Sequence, residues 1–115
     1  MKAQPKKGDV IRIRGSNPVL VINANMVKEY DGARNDTVPY ACYQFVTIPL
    51  PTRDGLVNPT EKTWTLTGGS MSGPNLIDLE KIEKVARVTV FKYVETRYTL
   101  NEKDLGVIAQ KGLAK

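Results

Sequence analysis

The chain has no histidine, one cysteine and one tryptophan in 115 residues. Without histidine, and with Cys42 alone, the common zinc and haem ligand sets cannot be assembled. A Ser-His-Asp triad is excluded for the same reason, and nothing of that kind activates Cys42 as a nucleophile. A single cysteine forms no intrachain disulfide, the usual state in a reducing compartment. It lies in an apolar, aromatic run and reads as a small buried hydrophobe. No apolar run approaches the roughly 18 residues of a membrane-spanning helix. The basic opening Met1-Lys2-Ala3-Gln4-Pro5-Lys6-Lys7 lacks the apolar core of a signal peptide. The expectation is a cytoplasmic chain with no membrane role. The carboxylates are scattered, with no calcium-loop or paired-acid spacing, so no metal or cofactor is expected.

What is present is ordinary for a globular protein, 41% apolar and 25% charged. The length suits one domain with one core. We therefore expect a flexible basic arm over residues 1–7 and a single domain over 8–115. The formal net charge is +5, and it is uneven. Residues 1–53 carry eight Lys or Arg against four Asp or Glu, and residues 54–115 nine against eight. The excess sits in the first half, which favours a polyanionic partner, nucleic acid first and an acidic protein second.

Two β-branched runs, Val10 to Ile13 and Val19 to Ile22, flank Gly15-Ser16-Asn17-Pro18 and predict a hairpin with strands near 9–14 and 18–24. Arg12 and Arg14 alternate with Ile11 and Ile13, so one face enters the core and the other carries guanidinium groups. A polar loop is expected from Met26 to Thr37. The run from Val38 to Leu50 fits a strand covered on both faces. Lys62 to Thr67 is a shorter strand with Trp64 and Leu66 on one side. Leu79, Ile82 and Val85 are spaced for one or two helical turns near position 80, and 86–100 reads as one strand or two. Asn101 should cap a closing helix with Leu105, Ile108, Ala109 and Leu113 as its buried stripe. The predicted class is mainly β, a small strongly bent sheet or SH3-like barrel, with a helical turn near 80 and a C-terminal helix.

Two chemistries are compatible with these residues. One is nucleic-acid binding through Lys2, Lys6, Lys7, Arg12, Arg14, Asn17, Arg34 and Arg53, with Tyr30 placed to stack on a base. The other is metal-independent RNA cleavage by the neighbouring 2′-OH, which needs a cation beside the developing phosphorane charge. Arg14 and Arg53, with Thr47 or Thr52 as hydroxyl partner, are the best available set. A third possibility is a protein-binding module that uses strand edges. The Gly68-Gly69-Ser70-Met71-Ser72-Gly73 loop lacks the lysine and helix of a P-loop and reads as a connection.

In order along the chain, Gly8-Asp9-Val10-Ile11, Asn17-Pro18-Val19-Leu20-Val21-Ile22, Ile48-Pro49-Leu50-Pro51-Thr52, Gly55-Leu56 and Leu100-Asn101-Glu102-Lys103-Asp104-Leu105 resemble the MazF/PemK family of small endoribonuclease toxins. The resemblance implies an SH3-like barrel, a homodimer, single-stranded RNA as substrate and an acidic antitoxin as partner. The family's catalytic arginine, before the first of those prolines, is Asn17 here, and Arg14 lies three residues earlier. The family's threonine corresponds to Thr52.

Overall fold

The computed structural model describes residues 3–29, 40–67, 75–89, 91–93 and 96–113. The two apolar runs form the expected hairpin, β1 (Asp9–Ile13) and β2 (Val19–Glu29), with Val10 opposite Leu20 and Ile11 opposite Val19. The turn comes one residue earlier than the Gly-Ser-Asn-Pro signal suggests. Arg14 and Gly15 both have positive φ, 53° and 73°. The Ser16 N–H closes on the Ile13 carbonyl at 3.0 Å, the pattern of a type I′ reversal. Beyond the hairpin, β2 runs on to Glu29, so Met26 to Glu29 are strand rather than loop, paired with the next strand, β3 (Tyr40–Pro49).

The remaining strands are β4 (Leu56–Val57), β5 (Lys62–Thr67), β6 (Leu76–Asp78), β7 (Ile82–Arg87), β8 (Phe91–Tyr93) and β9 (Arg97–Thr99), before helix α1 (Glu102–Gln110). Six form one strongly curled half-barrel sheet in the order β6-β5-β3-β2-β1-β7, and β4-β9-β8 form a second, smaller sheet. The mainly β fold with a closing helix is as the patterning predicts. Near position 80 the helical element shrinks to a single 3-10 turn, Leu79–Lys81. The i, i+3 spacing there is misleading: Ile82 and Val85 lie on a strand and enter different cores.

Strand alternation sends neighbours to opposite faces. Val10, Leu20 and Ile48 pack on one side against Tyr98, Leu100, Ile108 and Leu113, from β9, α1 and the segments that flank the helix. Ile11, Ile13, Val21, Phe45, Trp64, Ile77 and Ile82 pack together in a second cluster on the other side. Strand β3 is covered on both faces as expected, with Phe45 in one core and Ile48 in the other.

Helix α1 starts where the Asn101 side chain accepts the Asp104 N–H at 2.7 Å. It ends in a Schellman arrangement, with Leu113 N–H on the Ile108 carbonyl and Gly112 N–H on that of Ala109. Asp104 is buried, and its carboxylate also accepts the Thr89 N–H at 2.6 Å. Of the expected stripe, Ile108 and Leu113 are buried, whereas Ala109 is exposed.

The segment expected to be a flexible arm is tied down from residue 4 onward. Asp9, only 3% exposed, accepts the Lys6 N–H at 2.9 Å and pairs with Arg87 at 2.7 Å and Lys84 at 3.3 Å. Lys84 also donates to the Gln4 carbonyl, the Tyr43 hydroxyl donates to that of Pro5, and Pro5 is fully buried. A carboxylate with three donors around it makes the first residues part of the sheet's edge.

Candidate functional site

An open cavity of about 500 Å³ lies where the β1–β2 turn meets β3 and β5. Its apolar wall is Ile13, Val19, Ile48, Pro49 and Trp64. Its polar groups are the cations Arg14 and Lys62 and the hydroxyls of Ser16, Thr47 and Thr60. The volume is within the range of small-molecule sites. Among the described residues, the lining contains no carboxylate.

The register of β3 and β5 assembles half of this. Thr47 lies opposite Lys62 and Phe45 opposite Trp64, and residues two apart on a strand share a face. The indole of Trp64 is therefore held from several directions. It stacks on Phe45 with ring centroids 6.4 Å apart and planes 15° apart. Its N–H donates to the Thr47 hydroxyl at 2.9 Å. The Lys62 ammonium rests over the ring, 4.2 Å from its centroid, a cation–π contact.

Arg14 is brought in by the turn. Its positive φ takes it out of the alternation that would have set it beside Arg12, and non-glycine residues in that region are strained. Its backbone N–H donates to the Lys81 carbonyl at 2.8 Å, and its guanidinium donates to the Leu76 carbonyl at 3.0 Å. One side chain thus links the hairpin to β6 while lining the cavity. A guanidinium has five N–H donors, so this contact leaves others for a ligand.

The other residues singled out from the sequence are spread over the molecule. Arg12 is half-buried, lies opposite Glu83 on β7 and donates to the Ser16 carbonyl at 3.4 Å. Asn17 is exposed at the entry to β2. Thr52 and Arg53 are exposed in the turn before β4, closed by the Gly55 N–H on the Thr52 carbonyl at 3.0 Å, and neither lines the cavity. Lys6 and Lys7 are exposed beside the Asp9 cluster. Lys2, Tyr30 and Arg34, with the Gly68 to Pro74 loop, lie outside the described residues. Arg14 and Thr47 are the pair the fold brings together, while Lys62, Thr60, Ser16 and Trp64 join them without having been read as site residues. The alternation in Lys62-Thr63-Trp64 already places Lys62 and Trp64 on one face, and that signal could have found them.

Two tyrosines are electrostatically marked. Burial, and secondly the charge of Asp9, raise the Tyr43 phenol above its usual 10.0. Burial raises Tyr98 as well, followed by the charge of Glu61 and the hydrogen bond to it. Both are neutral donors at physiological pH, and neither is placed in the cavity lining. Among the described residues no cluster of acid or cysteine side chains could hold a metal ion, and no helix is long and apolar enough to cross a membrane. Comparison with protein-family models, curated proteins and solved structures finds no match to this chain.

Proposed function

We propose that this chain is a MazF/PemK-like RNA-binding protein that takes single-stranded RNA at the Arg14–Lys62 cavity. The observation that carries the reading is the convergence of two cations on an apolar, tryptophan-walled cavity with no carboxylate among its described lining. That combination matches an unpaired nucleotide, with a flat apolar base and a phosphate beside it. A duplex would present its bases already stacked and paired. The test is anisotropy of a labelled mixed-sequence RNA decamer over a range of salt. Binding should weaken steeply as salt rises, because each neutralised phosphate releases counterions. Affinity indifferent to salt, or equal for duplex and single strand, refutes the proposal.

Cleavage is the second reading, favoured by the presence of Arg14 and Thr47 in one cavity. In that reaction the 2′-OH gives its proton to water or hydroxide and attacks the adjacent phosphorus, the 5′-oxygen leaves with a proton taken from water, and Arg14 with Lys62 offsets the phosphorane charge. The described lining offers no carboxylate as general base, so binding is the stronger reading. Mapping RNA ends after incubation with the purified chain in EDTA decides between them. As a toxin, the chain would arrest growth on induced expression in the cytoplasm, act as a homodimer and be silenced by an acidic antitoxin segment lying across the two cations.

A further inference from the structure

The indole of Trp64 is stacked with Phe45, ring centroids 6.4 Å apart, and held at its N–H by Thr47. The third group against the ring is of a different kind, the ammonium of Lys62 at the end of a long, exposed side chain. Among the described residues no ion pair joins Lys62 to a carboxylate, and its ammonium rests over the ring. Both groups line the same cavity as Arg14.

We infer that Lys62 is a displaceable cap on Trp64, whose place over the indole is taken by an unpaired RNA base while the ammonium moves onto the neighbouring phosphate. This rests on the RNA-binding reading of the cavity and specifies the ligand further: a base and a phosphate must be present together. The ammonium loses a weak cation–π contact and gains a charge-assisted hydrogen bond, the stronger of the two. The ring exchanges a small cation for a flat π-system of its own size. A ligand with phosphate alone would draw Lys62 away and leave the indole uncovered. A base alone would displace the ammonium into water, without the gain of an anionic partner for it. Coupling the two exchanges makes Lys62 a specificity-determining residue rather than a general attractor of anions.

The chain has one tryptophan, so its fluorescence reports on this ring alone. The probes are a mixed-sequence single-stranded RNA decamer and the same decamer with every base removed. The intact strand should quench Trp64 at saturation, and the abasic strand should bind roughly tenfold or more weakly, within the range of base–aromatic stacking, without quenching. Lys62→Met should still allow quenching by the intact strand, with the slope of log affinity against log salt reduced by about 0.7, one single-strand phosphate contact. Lys62→Arg should restore that slope. Equal binding of intact and abasic strands, unmoved fluorescence, or an unchanged slope in Lys62→Met each overturns the cap while leaving RNA binding in place. Failure of both strands to bind the unaltered chain removes the site's reading and the cap with it.

Discussion

Replacing Arg14 with glycine separates what this residue does for the fold from what it does for a ligand. Glycine is at home at a φ of 53°, so the substitution relieves strain of about 1 kcal/mol. It forfeits the hydrogen bond from the guanidinium to the Leu76 carbonyl, which is solvent-exposed and contributes about 1 kcal/mol. It also loosens the unfolded chain, at a cost of about 0.5–1 kcal/mol. The backbone bond from position 14 to the Lys81 carbonyl is untouched. These terms nearly cancel, and urea denaturation should find Arg14→Gly within about 1 kcal/mol of the unaltered protein. RNA affinity should behave differently. The loss of one charge-assisted phosphate contact corresponds to about tenfold in affinity, and the salt slope should fall by about 0.7. A variant unchanged in both stability and salt slope would refute the placement of phosphate at Arg14. A loss of stability above about 3 kcal/mol would show instead that the guanidinium is chiefly a clasp between the hairpin and β6.

Gly8→Ala and Gly15→Ala share a positive-φ penalty of about 1 kcal/mol, but a Cβ on Gly8 would meet the Val88 carbonyl oxygen at 2.5 Å and one on Gly15 would meet nothing within 4 Å. Urea denaturation should therefore give about 2–4 kcal/mol for Gly8→Ala and about 1 for Gly15→Ala, and equal values would contradict the close approach. Thr47→Val keeps the shape but leaves the Trp64 N–H without its acceptor, so stability should fall by about 1–3 kcal/mol; a neutral result would mean that water replaces the hydroxyl. Tyr43 and Tyr98 keep their protons above the pH at which an unfolded tyrosine ionises, so their contribution is complete below about pH 10 and is lost as pH rises through their folded values. Stability should fall above pH 10, and less steeply in Tyr43→Phe; identical slopes would show that this phenol is not the group responsible.

What was legible in the sequence was local. The Val and Ile runs gave the hairpin, and Asn101 gave the start of α1, because strand preference and N-capping act over a few residues. The roles of Asp9 and Asp104 were not legible. Asp104 reads as an acid favourable to a helix N-terminus, yet its carboxylate also holds the Thr89 N–H, and Asp9 meets Arg87, 78 positions away, and Lys84. The cavity was hidden for two reasons. Lys62 approaches it only because β5 pairs with β3 in one register, and Arg14 because the turn begins at a residue type that seldom adopts positive φ. Gly15-Ser16-Asn17-Pro18 offers the better turn chemistry, so the pattern puts the reversal a residue too late.

The net charge of +5 overstates how much of the basic surface is available to a polyanion, and the structure divides the cations by what they already touch. Lys84 and Arg87 hold Asp9. Arg97 donates to the Asp54 carbonyl at 2.7 Å and Lys111 to that of Val85 at 3.1 Å, so these side chains connect elements of the fold. Arg14 also donates to a carbonyl, that of Leu76, and what sets it and Lys62 apart lies elsewhere. One occupies a backbone conformation that glycine or asparagine would adopt at lower cost, and the other rests on an aromatic ring instead of a carboxylate. A clasp to the exposed carbonyl of Leu76 does not by itself require arginine, because water can satisfy that oxygen. On the proposal that the cavity takes phosphate, a fixed positive charge at position 14 would have a use that offsets its strained φ. The proposal of an anionic ligand rests on the placement of these two cations in one cavity, rather than on the excess of basic residues along the chain.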